Sequence, residues 1–222
     1  MKPLPRLLAL AALLAATCSA SAVTLTPGVP AALPGTTVAA EPQLAGVVLE
    51  DEIQAFSFNA GSGTISGTVQ SRVVRSDLDG TLDFYWRVIS DANSSAGIGS
   101  FRLGNFVAPE YNANWRIDGL GDVAPDAAYL FPSPLNGYVN FSFSNARAGA
   151  TLGAGQESFF MLLDTTATKY ARTAVYDLTN GGQTQISVLF DTFAPAVPEP
   201  ATYGMMLAGL AVAGIAAKRR RS

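Results

Sequence analysis

Histidine is absent from the 222-residue chain, and cysteine occurs once, as Cys18 near the N-terminus. No zinc site built on Cys or His, no cysteine nucleophile and no His-based triad can therefore lie in the part of the chain that follows Cys18. The same segment cannot form an internal disulfide. Its stability must come from ordinary burial of apolar side chains, which a body of about 150 residues can supply.

Charge is also scarce, at 14% of residues, and it is unevenly distributed. Six of the 14 Lys and Arg residues lie in the two terminal segments, whereas 16 of the 17 Asp and Glu residues lie between them, all except Glu199. The middle of the chain is therefore acidic. Because phosphate contacts need clustered cations, we expect no nucleic-acid partner.

The N-terminal segment has the three parts of a secretory signal peptide, predicted over residues 1–22. Lys2 and Arg6 precede an apolar run over residues 7–16, which is too short to span a bilayer comfortably. Ala20 and Ala22 then form an A-x-A site for signal peptidase, with cleavage before Val23. A lipidated cysteine is disfavoured because Thr17 is a poor residue before Cys18.

The C-terminal segment, residues 195–222, has the pattern of a membrane-retained tail. Residues 201–217 carry no charge and approach the length of a spanning helix. A cluster of cations follows directly, and a charge at the membrane centre costs about 2.5–3.5 kcal/mol on insertion scales. We expect these cations to stop the helix on the cytoplasmic side: Lys218, Arg219, Arg220 and Arg221.

Pro198, Glu199 and Pro200 come immediately before this run, and the prolines hold the peptide extended. The order of motif, apolar helix and basic end resembles the PEP-CTERM sorting signal over Val197–Ser222. The resemblance implies recognition of these three residues by an exosortase in the inner membrane of a Gram-negative bacterium that makes exopolysaccharide. It also implies that the chain is first an inner-membrane precursor and then a cell-surface or matrix protein.

Residues 44–194 are expected to form the exported domain, after a proline-rich leader or linker over residues 23–43 in which a short edge strand is an alternative. Short segments alternate apolar and polar residues with period two, which indicates strands with one buried face. The apolar positions that carry this pattern are Ile65, Val69, Val73, Leu82, Phe84, Trp86, Val88, Phe101, Leu103, Trp115, Ile117, Val139, Phe141, Phe143, Phe159, Met161, Leu163, Ile186, Val188 and Phe190.

Turn signals separate these runs, and no sustained helical period occurs between them. The turns are Asp79-Gly80, Asp118-Gly119, Asn136-Gly137 and Asn180-Gly181-Gly182. The pattern predicts an all-β fold, an antiparallel β-sandwich of roughly eight to ten strands with a jelly-roll-like character. The segments GTLDFYWRV, NWRIDGLG and FAPAVPEP also resemble ectodomains that precede PEP-CTERM tails, a likeness that implies no biochemical activity.

The stretch DLDGT at residues 77–81 resembles the nucleophile loop of the haloacid dehalogenase phosphatases. That loop should follow a continuous apolar strand and lead into a helix. Here residues 70–76 alternate, and residues 81–90 alternate again. The pattern therefore predicts a hairpin with strands Thr64–Arg75 and Thr81–Ile89, and Asp79-Gly80 at its tip.

Acidic and aromatic residues leave several binding sites open. Asp77, Asp79 and Asp83 offer oxygens to calcium but lack the spacing and closing Glu of an EF-hand, so turn acids are the alternative. Two further acidic groups are interpreted as solvated or edge-protecting residues: Asp118, Asp122 and Asp126, and Glu50, Asp51 and Glu52. Four aromatic residues have two interpretations. They either stack on sugars or pack in strands and in the core: Tyr85, Tyr111, Trp115 and Tyr129.

From the sequence we expect an exported, non-catalytic surface or matrix protein, associated with exopolysaccharide or biofilm, with no cofactor and no resident metal. The expected partners are signal peptidase, exosortase and exopolysaccharide. The alternative is an extracellular carbohydrate-binding β-sandwich module. A surface hydrolase with two carboxylates across a cleft is the third function considered.

Overall fold

The computed structural model describes residues 21–61, 63–134, 137–143 and 151–196. Within those ranges the chain forms twelve strands and one short 3-10 turn, Pro42–Leu44. The strands are β1 Val23–Thr24, β2 Pro30–Ala32, β3 Gly46–Asn59, β4 Thr64–Ser76, β5 Leu82–Ser90, β6 Ile98–Gly104, β7 Asn112–Trp115, β8 Ala127–Leu130, β9 Val139–Ser142, β10 Met161–Asp164, β11 Tyr170–Asn180 and β12 Phe190–Pro195.

The strands make two six-stranded antiparallel sheets, which confirms the predicted all-β class. Sheet A has the order β1-β7-β10-β5-β4-β3, and sheet B has the order β12-β11-β6-β9-β8-β2. The inner faces of the two sheets share one apolar core, as in a β-sandwich. Because β1 is an edge strand of sheet A and β2 an edge strand of sheet B, the first described residues of the chain connect the two layers.

The hairpin predicted around DLDGT is present. Ser76 and Leu82 are the ends of β4 and β5, and Arg75 pairs with Leu82 across them. The Asp79 carboxylate accepts bonds from the backbone N–H and the hydroxyl of Thr81 at 3.0 and 2.6 Å. Gly80 has a φ of 74°, a conformation that favours glycine. This loop is a hairpin turn, and it does not lead into the helix that a phosphatase loop requires.

Aromatic side chains fill the space between the sheets. Trp86 of sheet A is 1% exposed and lies 5.8 Å from the ring of Phe101 in sheet B, which stacks on Tyr176 at 5.2 Å. The Trp86 indole N–H donates to the Thr192 hydroxyl at 2.9 Å. Since a buried donor without a partner is costly, this bond allows a large polar-edged ring to sit at the centre of the core.

Residues 23–43, predicted as a leader or linker with a short edge strand as the alternative, contribute two short edge strands to the sandwich. β1 pairs with β7 in sheet A, and β2 pairs with β8 in sheet B. Leu25 and Leu33 are buried in the common core. The prolines interrupted the alternating pattern without preventing pairing, because each of these strands has only two or three residues and lies at a sheet edge.

Two further details differ from the sequence prediction. Ile186 and Val188 were expected to lie on a buried strand face, but both are exposed and β12 begins only at Phe190. β8 was not predicted because its core-facing residues, Ala128 and Leu130, are too few to show a period. No helix of membrane-spanning length and hydropathy occurs among the residues described.

We predict that Thr192→Val lowers the free energy of unfolding by about 1–3 kcal/mol, because the buried Trp86 N–H loses its acceptor while the side-chain volume is kept. Chemical denaturation measures this change. Thr173→Val, at an exposed position of β11, is the matched control and should alter stability by less than about 0.5 kcal/mol. Equal effects of the two changes would contradict the role given to the Trp86–Thr192 bond.

Candidate functional site

The outer face of sheet B contains a groove of about 370 Å³ where β6, β9 and β11 lie side by side. We call it the sheet B groove and define it by Arg102, Gly104, Phe131, Tyr138, Asp177 and Leu189. Its residues come from four separate parts of the chain. Two of the side chains are charged, and most of the others are apolar or aromatic.

A charged pair forms the polar centre of the sheet B groove. Arg102 and Asp177 are directly opposite each other on β6 and β11. The Arg102 Nε and Nη2 atoms donate to the two Asp177 oxygens at 2.6 and 2.7 Å. This bidentate geometry fixes both planar groups, and the bond to Asp177 raises the pKa of Arg102. The Arg102 guanidinium therefore keeps its charge, which the carboxylate opposite it balances.

Aromatic and aliphatic side chains surround this pair. Tyr138 is 38% exposed and Leu189 is 65% exposed. The Phe131 backbone N–H donates to the Tyr138 carbonyl at 3.0 Å, and the Phe131 ring meets the Tyr129 ring edge-on at 4.8 Å. The two aromatic residues of the groove are therefore placed by one backbone contact rather than by a long loop.

The floor of the sheet B groove depends on a glycine. A Cβ at Gly104 would lie 3.1 Å from the Tyr138 ring and 3.3 Å from the Val175 side chain, closer than ordinary contact. Asn105 follows with a φ of 59°, the left-handed region that few non-glycine residues adopt. Such backbone conformations concentrate at ligand sites, where the surrounding structure must hold them in place.

A second cavity, of about 240 Å³, lies on the outer face of sheet A beside Tyr85, Phe160 and Arg116. Arg72 and Arg87 lie over the Phe160 ring at 4.9 and 5.2 Å. Each of the three arginines already contacts a carboxylate: Arg72 with Asp51, Arg87 with Glu157 and Arg116 with Asp118. This surface is held together by its own ion pairs, so its arginines do not form an unneutralised anion site.

Residues 36–45, which we call the strap, cover part of the same face of sheet A. Leu44 packs with Val74, Tyr85, Phe160 and Leu162 in a small second core. The Tyr85 hydroxyl donates to the Leu44 carbonyl at 3.4 Å. Tyr85 is therefore a packing residue and not an exposed platform for a sugar.

The other aromatic candidates from the sequence also serve the fold more than a surface. The Tyr111 hydroxyl donates to the Phe106 carbonyl at 3.0 Å. The Trp115 indole donates to the Leu33 carbonyl at 3.2 Å, and its ring lies 4.9 Å from Phe159. Of the four, Tyr129 lies on the outer face of sheet B beside the groove, where it supports Phe131.

The structure separates the three aspartates considered for calcium. Asp77 and Asp79 are exposed in the hairpin turn, whereas Asp83 is fully buried on β5. Among the described residues, no group of three or more Asp, Glu, His or Cys side chains is arranged to hold a metal ion. Asp79 is engaged with Thr81, as a turn acid would be.

The remaining acidic clusters form local contacts. Asp118 accepts a bond from Arg116, and Asp122 accepts one from the backbone of Glu157. On the edge strand β3, Glu50 accepts a bond from Tyr170 and Glu52 pairs with Arg172, both on β11 of the other sheet. These two contacts tie the edges of the sheets together, a role that the sequence pattern did not indicate.

Asp83 and Asp164 form a carboxyl pair that sequence reasoning missed, with Asp83 buried and Asp164 half-buried. They are directly opposite each other on β5 and β10, and no N–H or hydroxyl group of the described residues donates to either Asp83 oxygen. Burial, and then the neighbouring charge of Asp164, raise the pKa of Asp83 to about 9. Burial raises the pKa of Asp164 as well. At neutral pH the pair therefore holds a proton between two carboxyl groups.

The described part of the chain is thus an all-β sandwich with an open groove on one face, and its last described residue, Ala196, is the second residue of the predicted tail, whose first residue, Pro195, still belongs to β12. A family model for the PEP-CTERM protein-sorting motif matches residues 196–221. The chain therefore carries this sorting motif, which implies export through a sorting system to the cell surface and an exosortase as processing partner. No curated protein and no solved structure matches the chain.

Several predicted residues lie outside the described ranges. Of the two signal-peptidase positions, Ala22 is described and Ala20 is not. The other undescribed residues are the sorting motif and the basic end: Pro198, Glu199, Pro200, Lys218, Arg219, Arg220 and Arg221.

The groove residues were also missed by sequence reasoning. Arg102 and Asp177 are 75 positions apart, so only a correct pairing of β6 with β11 could have brought them together.

We predict that the free energy of unfolding falls as the pH rises from about 4 towards 9, by up to about 1.4 kcal/mol per pH unit from Asp83. Below about pH 4 both states hold the proton. Above it the unfolded chain releases the proton while folded Asp83, with its raised pKa, retains it. The charges of three neighbouring side chains also act on the two carboxyl groups: Glu41, Asp79 and Arg116. Urea denaturation between pH 4 and 9 measures the combined effect on stability.

Asp83→Asn should flatten this pH dependence and raise stability at pH 8, because the amide keeps the shape of the protonated acid and needs no proton. Asp191→Asn, at an exposed position of β12, is the control and should keep the parental profile. A parental slope that persists in Asp83→Asn would show that another group causes it.

Proposed function

We propose that this protein is an exported, non-catalytic surface or matrix protein that is held in the inner membrane by its tail and then processed by an exosortase. The observation that carries the proposal is the sorting motif at residues 196–221. Its proline-flanked acid, its uncharged run and its basic end follow one another without interruption. An association with exopolysaccharide or biofilm belongs to the same proposal.

The way the fold ends supports access to the motif. The Ala196 backbone N–H donates to the Lys169 carbonyl at 2.9 Å, just after β12. Pro198 follows two positions later, so the motif begins just after this bond in the sequence. Prolines on both sides of Glu199 disfavour helix and keep this peptide extended, the form in which a processing enzyme can bind a backbone.

The arrangement of carboxylates supports a non-catalytic role. Asp83 and Asp164 are paired but lie beneath the strap side of sheet A, and Asp83 has no exposed surface. In the sheet B groove, Asp177 is bound by Arg102 through both oxygens. A glycoside hydrolase needs two carboxyl groups that face each other across an open cleft, so neither place favours the hydrolase alternative.

Carbohydrate binding is the second candidate function, and the sheet B groove is the observation that favours it. Small-molecule sites are concave and mostly apolar, with a few fixed polar groups. The groove has this composition, with Arg102 and Asp177 at its centre and Tyr138 at its side. This function is compatible with sorting, because the tail and the groove consist of different residues.

We predict that Glu199→Ala leaves the protein in the inner membrane as an unprocessed precursor, because the acid of the motif is lost while its prolines remain. Membrane fractionation and immunoblotting of cells and medium measure precursor and released protein. Glu110→Ala, an exposed acid in the loop before β7, is the matched control and should be processed like the parent. Equal release of Glu199→Ala and the parent would contradict recognition of this tail.

A further inference from the structure

We propose that the sheet B groove binds one pyranose ring of a neutral, gluco-configured polysaccharide, with Arg102 and Asp177 contacting adjacent hydroxyl groups and Tyr138 packing on the C–H face of the ring. The inference rests on the second function proposed above and is independent of sorting. It assigns a ligand class and three contact residues to a site that consists wholly of described residues.

The charged pair suits two neighbouring hydroxyl groups. A guanidinium has five N–H donors, of which two are used on Asp177, and a carboxylate offers about four lone-pair sites, of which two are used. Unused donors and acceptors therefore lie side by side. A vicinal diol presents the complementary arrangement, since each hydroxyl both donates and accepts. The Arg102 and Asp177 side chains remain 35% and 12% exposed.

The neutrality of this pair selects the charge of the ligand. An acidic sugar would have to compete with Asp177 for Arg102, and a cationic one would have to compete with Arg102 for Asp177. The bond to Asp177 raises the pKa of Arg102, so the guanidinium keeps its charge opposite the carboxylate. An uncharged hydroxyl-rich ligand adds hydrogen bonds without breaking the bidentate contact, so the groove favours a neutral sugar.

The apolar side of the groove suits the gluco configuration. In a gluco-configured pyranose the hydroxyls are equatorial, so both ring faces expose C–H groups. Tyr138 is a partly exposed aromatic residue of the groove, and Leu189 is an exposed aliphatic one. Burial of these two side chains against a ring would supply binding energy that the polar pair alone does not.

The size and floor of the groove limit the ligand to about one ring. A volume of about 370 Å³ lies near the lower end of the roughly 300–1,000 Å³ found for small-molecule sites. The absence of a side chain at Gly104 lets the Tyr138 ring and the Val175 side chain pack closely against this floor, since a Cβ there would lie 3.1 and 3.3 Å from them. Asn105, in its left-handed conformation, is held at the end of this floor.

The test uses the full chain purified in detergent, titrated by calorimetry with cellopentaose, laminaripentaose and maltopentaose. We expect at least one of the three to bind. Asp177→Asn and Tyr138→Ala should each weaken that binding about tenfold or more, through loss of a charged hydrogen bond and of the stacking surface respectively. Glu52→Gln changes the carboxylate of the Arg172 pair at the sheet edge and should leave binding unchanged.

A second variant separates ligand binding from folding. Gly104→Ala keeps every proposed contact residue, but its methyl group would lie 3.1 Å from the Tyr138 ring and shift that ring. It should therefore also weaken binding about tenfold, with a thermal unfolding midpoint close to that of the parent. Failure of the parent to bind any pentaose at millimolar concentration would overturn the proposal. So would binding that survives Asp177→Asn and Tyr138→Ala, or that Glu52→Gln weakens equally. None of these outcomes bears on processing of the tail, which Glu199→Ala tests separately.

Discussion

The packing of Trp86 between the two sheets is the contact on which the rest of the structure depends. The described chain after Cys18 has no cysteine and no histidine, so neither a disulfide nor a zinc ion built on these residues can hold the sheets together. The inner faces must bury enough apolar surface by themselves. Trp86 does this against Phe101 and Phe106, and the Thr192 hydroxyl satisfies its only polar atom. Sheet B is thereby fixed relative to sheet A by a contact that is both apolar and directional.

The outer faces of the two sheets differ in how far other segments cover them. On sheet A the strap and Phe160 cover the surface, and three arginines are neutralised by three carboxylates. This covering also buries Asp83, a strand residue on the outer face. Because burial raises its pKa, Asp83 keeps a proton at neutral pH. On sheet B no comparable covering segment lies over Arg102 and Tyr138 among the described residues. The face that is left open is the one with a concave centre.

The sequence predicted long elements well and short ones poorly, for a physical reason. The ends of β4 and β5 were predicted to within one residue. Each strand contains several repeats of the period-two pattern, and the Asp79-Gly80 turn joins them. β1 and β2 have two and three residues, so their burial leaves no period, and their pairing with β7 and β8 is decided by tertiary contacts. The strand predicted at Ile186 and Val188 was wrong because alternation alone cannot distinguish a buried face from an exposed hairpin.

The candidate groove could not have been predicted from residue types alone. Arg102 and Asp177 are ordinary strand residues until β6 and β11 pair in the observed register, and a slip of one residue would send one of them into the core. Three of the four aromatic residues that stood out in the sequence pack within the fold, because large rings gain most from burial: Tyr85, Tyr111 and Trp115. Tyr138 was overlooked because it follows a turn glycine, Gly137, and belongs to no alternating run.

The positions of the groove and the tail along β12 explain how sorting and ligand binding can coexist. Leu189 lines the groove immediately before β12, and Ala196 leaves the sandwich immediately after it. The six residues of β12 span about 20 Å at roughly 3.3 Å per residue. A sugar held beside Leu189 is therefore one strand length away from the point where the sorting peptide begins. A membrane-bound enzyme that engages Pro198–Pro200 and a ligand that occupies the groove would meet opposite ends of the same strand, so neither has to displace the other.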